Sequence, residues 1–266
     1  MKRRLTIPDM DLPNLLALII GCAVGIASGA IGAFIILKRM ALVGDALSHV
    51  ALPGIALALF YAVEPFWGVL IFLLAAAVIV WWLEGRTTLP GDALVGLLFT
   101  TSLAVGVLTI PDEEIVHSLF GGFPALSPLA FIITTGLALG AAGMVMGFAR
   151  QFLFRTTTAD LAQVHGLGRW LDLLLLSLFA LIVSLGIKLV GTLLMGALTI
   201  IPASIAKNVA KSMKAFITVS TLLGGVISVT GLLIAQAFSF LPGPSIILFG
   251  AGLFLISLVL PRRLYS

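Results

Sequence analysis

The chain has 266 residues, of which 61% are hydrophobic and only 10% charged, and its mean hydropathy is +1.23. Polar surface on that scale cannot cover the apolar remainder in water, which excludes a soluble globular protein and leaves an integral membrane protein. The formal net charge of +4 does not indicate nucleic acid, because the bases sit in short patches between apolar runs and act on topology instead. The length suits a single transmembrane domain over 1–266, with no separate soluble domain at either end.

In chain order, Met1-Lys2-Arg3-Arg4 resembles the basic start of a signal peptide. Asp9 and Asp11 intervene, however, and no small-residue cleavage site follows, so the first apolar run predicts a retained helix. Apolar runs long enough to cross a bilayer fall at about 13–37, 41–62, 66–83, 93–110, 126–149, 171–187, 189–206, 215–237 and 245–260. Open sheet edges do not survive in lipid, so these runs predict an all-α, polytopic protein with eight or nine transmembrane helices. The uncertain boundary is Lys188-Leu-Val-Gly191, either a tight turn or the edge of a broken helix. Cys22 is the single cysteine, which rules out a disulfide within the chain and a cysteine metal cage.

With nine crossings, the bases Lys38/Arg39, Arg86, Arg150/Arg155/Arg169, Lys207/Lys211/Lys214 and Arg262/Arg263 all fall in alternate loops, predicted to be cytoplasmic. The opposite loops carry Glu64, Asp112-Glu113-Glu114 and the Phe240–Pro244 turn, which puts the N-terminus outside despite Lys2, Arg3 and Arg4. Gly21, Gly25 and Gly29 on one run, and Gly136, Gly140, Gly143 and Gly147 on another, predict close helix approaches. Trp67, Trp81, Trp82 and Trp170 fall where interfacial anchors are expected.

Most of the acids can lie in loops or at helix ends, but Asp45 cannot. If its helix starts near Lys38/Arg39, a rise of 1.5 Å per residue puts Asp45 about 10 Å and His49 about 16 Å along it, near mid-membrane. The four-residue spacing stacks the two on one face. Pro53-Gly54 follows at once, and a helix break beside two polar side chains suggests a site or a gate. An ionisable pair at that depth is costly enough to imply function. Ser48, His49 and Asp45 do not make a hydrolytic set, because adjacent residues on a helix point about 100° apart. A self-neutralising pair, a proton relay and a metal site remain. Carboxylate plus imidazole suits Zn²⁺, Mn²⁺ or Fe²⁺ rather than Cu⁺. One chain supplies two such ligands where zinc takes about four, so a homodimer with this helix at its two-fold axis is predicted.

The run from Arg39 through Asp45 and His49 to Pro53-Gly54 resembles the signature of the metal ABC importer permeases, the membrane subunits of bacterial zinc and manganese uptake systems. Further matches follow in order: Trp82-Leu-Glu84, Asp92-Ala-Leu-Val-Gly96, Leu119-Phe120-Gly121, Asp160–Gly166, Val190-Gly191, Ile201-Pro202 and Gly243-Pro244-Ser245, so the resemblance covers nearly the whole chain. It implies a permease fold of the vitamin B12/siderophore-importer type in a bacterial cytoplasmic membrane. The expected partners are a second copy of the chain, an extracytoplasmic metal-binding protein, cytoplasmic ATPase subunits and membrane lipid, with no nucleic acid. Asp45 and His49 match the family's metal-coordinating gate. Zinc is the first expectation for the cargo, then manganese or iron, and no permanently bound cofactor is expected.

The chain has no Gly-x-x-x-x-Gly-Lys-Ser/Thr loop, so it is not expected to be an enzyme, and ATP is hydrolysed by the partner. The loop holding Thr156, Asp160, Leu161, Ala162, Gln163, His165 and Gly166 has helix-capping signals and fits a short helix that docks into the ATPase. A proton-coupled secondary metal carrier using Asp45 and His49 is the alternative, and a structural membrane protein the third reading.

Overall fold

The structure, a computed structural model, describes residues 12–89, 91–109, 127–157 and 168–259, leaving aside the side chains of Pro13, Ala41, Leu42, Asp45, Val107 and Leu193. The described residues form helices and no strands: α1 (Leu12–Leu37), α2 (Ala41–Phe60), α3 (Pro65–Glu84), α4 (Gly91–Thr109), α5 (Pro128–Gly147), α6 (Ala149–Thr157), α7 (Trp170–Val190), α8 (Thr192–Val209), α9 (Met213–Phe238) and α10 (Pro242–Val259). Six of them, α1, α3, α5, α7, α9 and α10, are long and apolar enough to cross a membrane, and shorter apolar stretches lie in α2, α4 and α8. The chain is a multi-pass membrane protein.

The bundle is built around α1, which packs on α9, α5, α8 and α7, while α2 is held by α3, α4 and α8. Small residues set the closest crossings. A Cβ on Gly25 would strike the Gly224 carbonyl of α9, and one on Gly29 would strike the Ser220 carbonyl. The Ser220 hydroxyl donates back to the Gly29 carbonyl, so the contact is polar as well as close.

The second glycine stripe behaves differently. Gly136, Gly140, Gly143 and Gly147 have open space where a Cβ would stand, and α5 buries Ala138, Ala141, Ala142 and Val145 instead. At 100° per residue these two sets lie on opposite faces of α5, so the expected approach through these glycines is not found among the described residues.

Helix ends explain the short connections. At the end of α1 the Met40 N–H donates to the Ile35 carbonyl and the Arg39 N–H to the Ile36 carbonyl, each at 3.1 Å. Arg39 is left-handed with φ 59°. This double bond pattern satisfies the last carbonyls of the helix and fixes the turn into α2. Gly191 alone joins α7 to α8, with φ 84°, a conformation that glycine adopts without steric cost. The Lys188–Gly191 boundary is therefore a tight turn between two helices.

Ion pairs sort the loops. Asp172 near the start of α7 meets Lys38 at the end of α1 and Arg155 on α6, whereas Lys188 near the end of α7 meets Glu64 just before α3. Lys38 and Arg155 thus meet at one end of α7 and Glu64 lies at the other.

Candidate functional site

Asp45 and His49 are both on α2, and helical register puts them one turn apart; the side chain of Asp45 lies outside the described residues. His49 is 6% exposed within a single chain. Its ring packs edge-on against Phe99 of α4, centroid to centroid 5.1 Å at 68°. Gly44 lies close to Gly196 of α8, and Gly54 and Gly68 bring α2 and α3 into backbone contact. On the remaining side Gly106 of α4 sits over Leu52 and Pro53. The segment from Ala46 to Ala56 is accordingly buried inside the subunit.

The expected break at Pro53-Gly54 is not an interruption of the helix, since α2 continues through Pro53 to Phe60. Proline at this position has no N–H to donate to the His49 carbonyl one turn back. Gly106 opposite leaves room for the ring, and Gly54 serves the crossing with Gly68.

Ser48 is fully buried, and its hydroxyl donates to the Gly44 carbonyl at 2.7 Å. A serine bonded back to its own helix contributes little that the helix needs. On the metal-permease expectation, Ser48→Ala keeps metal uptake within about twofold of the parent, measured in vesicles carrying either protein, since well under 1 kcal/mol is at stake. A large loss would make Ser48 a ligand or a gate residue.

Among the described residues no three His, Cys, Asp or Glu side chains gather into a possible metal cage. Asp160, Leu161, Ala162, His165 and Gly166 lie outside the described residues, as do Asp112, Glu113, Glu114 and His117. On either side of the 158–167 stretch, α6 ends at Thr157 and α7 begins at Trp170.

Sequence reasoning missed the polar cluster beside that stretch. Asp172 lies at a helix end as expected, yet it is only 9% exposed and takes two cations. Trp81, expected as an interfacial anchor, donates from Nε1 to the Arg169 carbonyl at 2.8 Å, while the Arg169 guanidinium stacks 5.1 Å from the Trp81 ring centroid. The available signal was an aspartate in the third position of an apolar run, three residues after Arg169 and two after Trp170.

Comparison with known proteins agrees with this architecture over nearly the whole length. The model of the ABC 3 transport family matches residues 14–261. The manganese import system permease protein ScaB of Streptococcus gordonii is 35% identical over 255 residues, covering 94% of this chain and 92% of that protein. The high-affinity zinc uptake system membrane protein ZnuB of Haemophilus influenzae is 30% identical over 255 residues, covering 93% and 97%. Among solved structures, PsaBC from Streptococcus pneumoniae in complex with a Fab superposes with a TM-score of 0.83 at 34% identity, over 96% of this chain and 94% of that one. A buried helix bearing Asp45 and His49, an all-helical bundle and an end-to-end family match agree: the chain belongs to the ABC 3 transport family, the membrane permease subunits of metal ABC importers.

Proposed function

We propose that this chain is the permease of an ATP-driven importer that carries a divalent transition metal ion across the bacterial cytoplasmic membrane into the cell, with Asp45 and His49 as its metal ligands. The observation that carries the reading is His49, an imidazole buried on α2 one helical turn after Asp45, in a chain of this family. Zinc and manganese are both supported as cargo by the relatives named above, and a mixed carboxylate and imidazole site also admits iron.

Two copies supply two aspartates and two histidines, the number zinc takes. In one subunit α4 lies over this face of α2, with Phe99 on the His49 ring. Two His49 residues therefore meet across a two-fold axis only after α4 withdraws. On the nine-crossing reading, with the N-terminus outside, the base-bearing loops face the cytoplasm and the ATPases dock there at Asp160–Gly166.

The test is ATP-dependent uptake into vesicles carrying the permease, its ATPase and its binding protein, with Zn²⁺, Mn²⁺ and Fe²⁺ in competition. Uptake is expected only with all three components. Uptake by the permease alone, following a pH gradient, would overturn the reading in favour of a proton-coupled carrier. Replacing Asp160 or Gly166 is expected to reduce co-purification of the ATPase by about tenfold, the effect of losing one helix cap at such a contact, and to leave metal binding at Asp45 and His49 intact.

A further inference from the structure

The described residues hold one charged cluster that ligand chemistry does not use. The Asp172 carboxylate accepts from Lys38 Nζ at 2.7 Å through Oδ1, and from Arg155 Nε at 3.0 Å and Nη2 at 2.9 Å through Oδ2. The three side chains are 12% to 15% exposed, beside a cavity of about 580 Å³ lined by Lys38, Arg39, Glu84, Arg155, Thr156 and Asp172. The two oxygens thus serve two cations from two different elements, and on the Arg155 side two guanidinium nitrogens share the single oxygen Oδ2 in charge-assisted bonds. Pairs this shielded are worth more than exposed surface bridges.

The mechanical consequence depends on what else fixes these elements. α6 has nine residues and buries one of them, Phe152, which packs at 5.5 Å against Phe34 of α1. Arg155, three residues further on, adds a charged tie from α6 to Asp172 of α7. On the other side of Asp172, Lys38 begins the turn whose double hydrogen bond and left-handed Arg39 leave no slack before α2 starts at Ala41. Arg169 and Trp81 clasp the start of α7 to the end of α3. These contacts form a continuous chain from α6 through Asp172 and Lys38 to the turn that opens α2.

We propose that Asp172 is a positioning residue for transport, locking α6 to the α1–α2 turn so that displacement of α6 reaches the helix that carries Asp45 and His49. The proposal rests on the reading above that the ATPase docks on the chain continuing from α6.

The experiment measures metal taken up per ATP hydrolysed in vesicles containing permease, ATPase and binding protein. Asp172→Asn is expected to lower this ratio by about tenfold, within the usual range of coupling between sites, and Asp172→Glu to restore most of it. Lys38→Gln and Arg155→Gln, each leaving one arm of the cluster in place, are expected to lower the ratio as well. They carry the test if Asp172→Asn does not assemble. An unchanged ratio in Asp172→Asn, or in both of the arm variants, with the ATPase still bound, overturns the role of Asp172. A full ATPase complement on permeases with Asp160 or Gly166 replaced overturns the docking reading instead.

Discussion

Replacing either Asp45 or His49 by alanine is expected to lower metal uptake by at least about 100-fold while the permease still assembles with its ATPase. Groups that merely orient a metal ligand cost 10- to 100-fold when removed, so a direct ligand sets a higher floor. In the proposed dimer the loss is multiplied, because each substitution deletes two donors of about four. Asp45→Asn preserves shape and removes the charge that compensates a divalent ion, and uptake is expected to fall equally far. For His49 the control is packing. The ring is buried against Phe99, so His49→Ala leaves a hole as well as removing a donor. His49→Gln keeps polarity and much of the volume without the imidazole nitrogen, and it is expected to be as inactive as alanine. Uptake in His49→Gln near the parental rate would mean that the histidine packs and does not ligate.

What the sequence disclosed followed the size of the energies involved. Putting a carboxylate or an imidazole in hydrocarbon is expensive enough to stand out in one chain, which is why the α2 pair and the apolar runs were legible without a structure. The same pattern put Lys38 and Arg155 on one side, and the two meet at Asp172. Partners far apart in sequence were not legible. Asp172 and Lys38 are separated by 134 positions, and nothing local to either residue names the other. Helix α6 was missed for a different reason: nine residues mixing Phe152 with Arg150, Gln151 and Arg155 are too short and too polar to register as a crossing. At Pro53 the local rule predicted a break, and tertiary context prevailed because neighbours on α3 and α4 present glycines, Gly68 and Gly106, to that part of α2.

The two glycine stripes were indistinguishable in sequence, and they now yield opposite predictions for the same substitution. Gly29→Ala puts a methyl group against the Ser220 carbonyl and within 3.2 Å of the Thr221 Cα. Both obstacles are backbone, so no rotamer relieves them, and α1 must separate from α9 at its closest crossing. The expected cost is about 3 kcal/mol, the upper end for overpacking a well-filled site. It should appear as a markedly lower unfolding midpoint in detergent and poor recovery of folded permease. Gly140→Ala meets nothing within 4 Å. There the methyl group removes backbone freedom from the unfolded chain and improves helix propensity, so stability is expected to rise by about 0.5 to 1 kcal/mol. The sign difference is the decisive result, since spacing alone assigns both glycines to helix packing. If Gly140→Ala lowered the midpoint of the isolated chain as Gly29→Ala does, α5 would have to pack through its glycines, with its face turned by half a rotation from the one that buries Ala138, Ala141 and Val145.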